Sequence, residues 1–167
     1  MQVFSQDTPP FPTIPSPKIE GLRLKLNFEE NLELADAMGF QIKVISPDGI
    51  IRSNADLEFT KVKPSNLVKI IDALVDIDYV NLGAFVAYGF DAEPIQKEVH
   101  SSNLSKLWTA NEVATQKPAN WHAHETDSKD EKRFIVLNDA GKVAKSPSYR
   151  PANFEQFVPK KVQAELF

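Results

Sequence analysis

The chain has 167 residues, a net charge of −4 and no cysteine, with 42% apolar and 25% charged residues. That length can bury a core of its own, the mixture is that of an ordinary globular protein, and the lack of thiols excludes disulfides and thiolate metal sites. Lys and Arg are scattered rather than gathered into the basic stripe that nucleic acid requires, no basic segment followed by an apolar core reads as a signal peptide, and a reducing cytoplasm is the expected location.

The first stretch, "DTPPFPTIPSPK", carries five prolines between Pro9 and Pro17. Proline fixes φ and removes a donor, so residues 1–15 read as an extended arm. Phe11 and Ile14 could dock on a neighbouring surface; the alternative is a loose tail. Residues 16–167 read as one domain. Its first helix is predicted from Ser16 or Pro17 to Met38, stopped by Gly39. At 100° per residue Leu22, Leu26, Glu29, Glu33 and Ala37 share one broad face, with Glu30 at its edge. Leu24, Phe28, Leu32 and Ala35 form a second apolar face, and only a wedge around Arg23, Asn27 and Asn31 reads as solvated. A helix apolar on two sides needs cover on both, which points to an oligomer.

"IKVIS-PDG-IIRS" predicts a hairpin turned at Pro-Asp-Gly, with an irregular connection to Lys63. A second helix is predicted after Pro64, with Ser65 as cap, ending at Gly89. It is apolar nearly all round, and Asp72, Asp76, Tyr79 and Gly83 lie on one face. Three carboxylates between Ile70 and Phe90 (Asp72, Asp76, Asp78) make a lone membrane span very unfavourable, so a buried soluble helix is the better reading. A third helix starts at Asp91, with Pro94 in its first turn and Val99, Asn103 and Lys106 on one face. Thr109 to Lys132 reads as a long loop with room for a short helix. "RFIVLNDAGKVAK" reads as a hairpin turned at Asn138 to Gly141, and "SPSYRPANFEQFVP" as an extended tail.

Charges on a helix usually face water. Here Glu29 and Glu33 continue the Leu22–Leu26 stripe, and Asp72 and Asp76 sit in a helix with almost no polar face. Buried carboxylates need partners. Arg23, Lys25 and Lys69 are the basic candidates for structural ion pairs. The other reading is a divalent ion: Mg²⁺ and Mn²⁺ prefer carboxylate and water oxygen, and two antiparallel helices offering Glu at i, i+3 and Asp at i, i+4 can surround one or two of them. A metal site of that type suits a polyphosphate, for which Lys106 supplies a point charge and Asn103 an amide donor, with Lys142 and Lys145 of "GKVAK" as further cations. Alone, Asn103 and Lys106 would read as an exposed helix end. His100 reads as a surface residue. His122 and His124 have only Glu125 close by, too few ligands for zinc.

"EENLEL", "DALVDIDYVNLGAFVAYGF", "EVHSSNLSKL" and "GKVAKSPSYRPANF", in that order, resemble the all-α NTP pyrophosphatases, in the MazG-like branch close to phosphoribosyl-ATP pyrophosphohydrolase. The likeness covers about Pro12 to Asn153, apart from the Gln41–Lys63 insert and the loop after Trp108. It implies an all-α helical bundle with small β-hairpin insertions, assembled as a homodimer or homotetramer, that hydrolyses a nucleoside triphosphate to the monophosphate and pyrophosphate with Mg²⁺ or Mn²⁺. Carried over by position, Glu29, Glu30, Glu33 and Asp72 are the metal ligands with Asp76 supporting, and Glu29 or Glu30 accepts the proton of the attacking water. Asn103, Lys106, Lys142 and Lys145 bind phosphate, and Tyr79 joins the substrate-binding set. The chain departs from the pattern at Lys69, where the family has a Glu. The resemblance implies a soluble enzyme of a bacterial or phage-infected cytoplasm that binds neither nucleic acid nor membrane. A purine substrate, dGTP first, is expected; the alternatives are dUTP or another house-cleaning substrate, phosphoribosyl-ATP, or an inactive helical binding module.

Overall fold

Proline at its first position starts α1 (Pro17–Ala37), which runs on past Gly21. Ser16 precedes it as expected, but its hydroxyl makes no capping bond. Its carbonyl instead accepts the amides of Ile19 and Glu20 at 2.8 and 3.0 Å. The structure is a computed structural model describing residues 8–126 and 132–159. They fall into two compact units that meet in sequence at Phe90 and Asp91.

In the first unit α1 stops at Gly39, whose φ of +82° is left-handed. A Cβ there would lie 2.0 Å from the Lys63 carbonyl oxygen, so only glycine lets the chain return across the helix end. The return is an antiparallel pair, β1 (Phe40–Val44) on β2 (Leu57–Lys61), in the register Phe40↔Lys61 to Val44↔Leu57. The sequence reading put the second arm at "IIRS", and this is corrected. The Pro-Asp-Gly turn does close, with the Gly49 amide donating to Ser46 at 3.1 Å. Local bonds then hold the next residues off the ladder. Asp48 accepts from the Ile50 amide and pairs with Arg52 at 2.6 Å, and Ser53 and Asp56 close a capping box on the 3-10 turn Asn54–Asp56.

Asn66, rather than the expected Ser65, caps α2 (Leu67–Ala87), its side chain accepting from the amides of Val68 and Lys69. Ser65 is spent elsewhere: its hydroxyl donates to the Met38 carbonyl and accepts from Lys61. The Asn66 amide donates to Ala37 O at one end of the pair, and the Tyr88 hydroxyl donates to Glu20 at the other, so α1 and α2 run antiparallel. The arm lies along the same end, with the Thr13 amide on the Tyr88 carbonyl at 3.0 Å.

The buried side of α2 is Ala73, Val80, Gly83 and Ala87, small residues that let a helix approach closely. On α1 the buried ends of the stripe are Arg23 and Ala37, with Leu26, Glu30 and Leu34 partly buried between them. Arg23 therefore faces inward, not into the solvated wedge expected for it. The buried stripe is rotated from the predicted one because Arg23, Glu30 and Ala37 recur every seven residues, the period of a helix seam. Leu24, Phe28 and Leu32 on α1 and Leu67, Val68, Ile71 and Val75 on α2 are exposed. Apolar surface of that extent is unusual on a monomer. Sedimentation at micromolar concentration is expected to give a multiple of the 18.7 kDa chain; a single-chain mass would rule out a stable oligomer.

The second unit begins with α3 (Ala92–Leu104), capped by Asp91 as predicted, its side chain accepting from the Glu93 amide. The helix ends at Leu104 with Ser105 as C-cap, so Lys106 lies just beyond it and not on its face. The expected loop contains regular structure: β3 (Trp108–Thr109), α4 (Ala110–Gln116) and β4 (His122–Glu125). Thr109 and Glu112 form a capping box that starts α4. β5 (Arg133–Leu137) lies between β3 and β4, antiparallel to both. The Asn138–Gly141 turn forms as predicted, but its return arm is only a bridge, Leu137 to Val143, with the Ala144 amide on Val136 O. Trp108, Val136 and Ala144 are the buried centre of the unit, and Trp121 meets Trp108 edge-on at 6.3 Å. The molecule is thus mostly helical with small antiparallel insertions. None of its described helices is long and apolar enough to cross a membrane.

Candidate functional site

The helix seam of the first unit is interrupted by one acid on α1: Glu30, partly buried, lies midway between Arg23 and Ala37, while on α2 Ile77 takes the step between Ala73 and Val80. Glu29, Glu33, Asp72 and Asp76 are exposed, so the burial expected for these acids is corrected: the apolar stripes of both helices turn their acids outward, and only Glu30 is partly buried. Partial burial, then the charges of Glu33, Asp76, Glu29 and Asp72, push the Glu30 carboxyl above its ordinary range. The other four predicted acids thus all act on Glu30. Among the described residues neither Lys25 nor Lys69 forms a salt bridge with any of the five.

A cleft of about 400 Å³ opens beside them, lined by Leu32, Glu33, Asp36, Ala37, Lys69, Asp72 and Ala73. Asp36, which sequence reasoning did not single out, is held by Lys63 at 2.5 Å. Tyr79 is exposed one turn beyond Asp76. The donor set suits a hard divalent cation, since its charged oxygens are all carboxylate. Among the described residues no three Asp, Glu or His side chains already converge as ligands.

The other predicted site residues belong to the second unit. The Lys106 ammonium donates to the side-chain Oδ1 of Asn103 at 2.8 Å. That bond fixes the amide by its acceptor end and leaves its donor end to meet an anion. Lys145 lies over the Tyr149 ring, 4.4 Å from its centroid, and Lys142 is exposed on the Asn138 turn. A network that the sequence did not reveal ties the tail to the end of α3. Arg150 pairs with Glu98 at 3.0 Å, Glu98 also accepts the Asn153 amide, and the hydroxyls of Ser102 and Ser105 both donate to the Arg150 carbonyl. Ser146 donates to Ser105 O. Buried Glu112 accepts from Thr109 and from the Ser148 amide; burial would raise its carboxyl, but these bonds outweigh it and hold the group low. The Arg150–Glu98 pair is 52 residues apart in sequence, and no local pattern announces it. His122 and His124 are exposed on β4.

Compared with known proteins, residues 1–103 match the family described as phosphoribosyl-ATP pyrophosphohydrolase. No curated protein sequence matches the chain.

Proposed function

The chain belongs to the phosphoribosyl-ATP pyrophosphohydrolase family, and from that premise we propose that it splits a nucleoside triphosphate into the monophosphate and pyrophosphate, using Mg²⁺ or Mn²⁺. In this reading the substrate is a purine deoxynucleotide, dGTP first, and the enzyme works as a homodimer or homotetramer in the cytoplasm of a bacterium or an infected host. The carrying observation is the gathering of five carboxylates on α1 and α2, where partial burial and then the charges of Glu33, Asp76, Glu29 and Asp72 raise the Glu30 carboxyl.

A divalent ion held by Glu29, Glu30, Glu33 and Asp72, with Asp76 supporting, would supply charge to the phosphate oxygens and acidify nearby water. Glu30, whose carboxyl is raised by burial and its acidic neighbours, takes the proton of the attacking water on a carboxylate oxygen, with Glu29 beside it as the alternative acceptor. Tyr79 offers a ring and a hydroxyl to the nucleoside. Asn103 and Lys106 hold phosphate, joined by Lys142 and Lys145.

Pyrophosphate release from dGTP, dATP, dUTP and phosphoribosyl-ATP, with and without Mn²⁺, tests the reading. The family description favours phosphoribosyl-ATP as the second candidate. Turnover of that compound alone would move the assignment to it. Release from none of them would leave a helical binding module. Lys106→Ala is expected to lower kcat/KM for dGTP by roughly tenfold to a hundredfold, the worth of one charge-assisted hydrogen bond. It should leave Mn²⁺ affinity without nucleotide intact, since lysine is no ligand. Unchanged kcat/KM would reduce "SNLSK" to a helix terminus.

A further inference from the structure

Lys69 contributes the positive side chain of the cleft lined by Glu33, Asp36 and Asp72. It stands one turn before Asp72, in the first turn of α2. A helix start carries the positive end of the peptide dipoles, so an acid stabilises that position and a lysine does not. Nor is its charge absorbed locally. Asp36 is taken by Lys63 at 2.5 Å, and among the described residues Lys69 forms no ion pair. Its charge still reaches the cleft, where it helps hold the Asp36 carboxyl down, after the hydrogen bond and charge of Lys63. The cleft therefore joins a carboxylate side, able to bind a cation, to an ammonium and a helix start, both of which favour an anion.

We propose that Lys69 is a substrate-binding residue: its ammonium holds a phosphate of the polyphosphate chain in this cleft and takes the place of a second divalent ion, so that the acids load one metal per chain. This rests on the reading that those acids hold a metal. The electrostatics are direct. An ammonium on the wall of a small cleft repels a second dication there, while its three N–H donors and its charge meet phosphate oxygens without any bound water having to be shed from a metal.

The proposal is tested by Mn²⁺ titration of the full chain without nucleotide. One ion per chain is expected for the native protein, and two for Lys69→Glu, which adds a carboxylate and removes the repelling charge. Two ions in the native protein, or one in a folded Lys69→Glu, would overturn it. Binding of inorganic tripolyphosphate in the presence of Mn²⁺ gives a second readout. Lys69→Met should weaken it roughly tenfold or more, and Lys69→Arg should largely restore it. Equal affinity of the native and Lys69→Met proteins would also overturn it. Neither measurement needs turnover. A chain that hydrolyses no nucleotide would refute the pyrophosphohydrolase reading while still reporting whether Lys69 sets the metal count.

Discussion

Glu33→Gln is expected to abolish nucleotide turnover while the fold survives. Glu33 lines the cleft with Asp72, lies one turn from Glu29 and Glu30, and is exposed, outside any ion pair among the described residues. The change keeps size and hydrogen bonding but removes a charge and a strong oxygen donor. Losing even an outer partner of a metal ligand costs about 10–100-fold in affinity or activity, so losing a ligand should cost more than ~100-fold in kcat/KM. Stability should move by less than about 0.5 kcal/mol, as for other exposed positions away from a packed feature. Steady-state kinetics at saturating Mn²⁺, beside a denaturant melt, separates the two effects. Activity within a few-fold of the native chain would remove Glu33 from the site and weaken the case for its neighbours.

The largest effect on stability is expected at Gly39. Alanine there must adopt a φ of +82° and bring its Cβ to 2.0 Å from the Lys63 carbonyl oxygen, a backbone atom that cannot swing aside like a side chain. The left-handed strain alone is worth ~1–2 kcal/mol and the overlap adds a similar amount, giving about 3 kcal/mol. Either β2 peels from the end of α1 or the helix unwinds a turn. Both would disturb the start of α2 that carries Lys69 and Asp72, so metal affinity should fall together with the urea midpoint. Gly21→Ala is the matched control. It lies within α1 with no atom within 4 Å of an added Cβ, and should stabilise by up to about 1 kcal/mol through helix propensity. A Gly39→Ala midpoint equal to the native one would show that the chain crosses elsewhere.

The helices were legible because their signals are local. Pro17 and Gly39 bracket the first, and Asp91 with Pro94 starts the third. What misled was chemistry that competes with a pattern. "IIRS" has the residues of a strand, yet the Asp48–Arg52 pair and the Ser53–Asp56 box bind their own neighbours more cheaply than a ladder does. Arg23 reads as polar and therefore solvated, but the seven-residue period it shares with Glu30 and Ala37 turns it inward. Asn66 displaced Ser65 as cap because the serine hydroxyl serves the Met38 carbonyl. At the candidate site the carboxylates were visible as residue types in a helical rhythm. That Lys69 shares their cleft depends on the pairing of α1 with α2, and the bonds of Glu98 and Glu112 to the distant tail depend on tertiary contacts; neither leaves a trace in a window of sequence, although the Thr109–Glu112 capping box that places Glu112 does.

The chain has two tryptophans, and both, Trp108 and Trp121, belong to the second unit, stacked edge to face. The long helices α1 and α2 contain none. Intrinsic fluorescence therefore watches one half of the molecule, while the far-ultraviolet dichroism of the helices is weighted to the other. Followed together through a urea titration, the two signals become independent witnesses to cooperativity. Coincident curves would mean that the halves melt as one body, and separated curves that each has a stability of its own. The placement of two indole rings thus gives a label-free way to learn which half a ligand steadies: Mn²⁺ bound at the acids of α1 and α2 should delay the dichroism first.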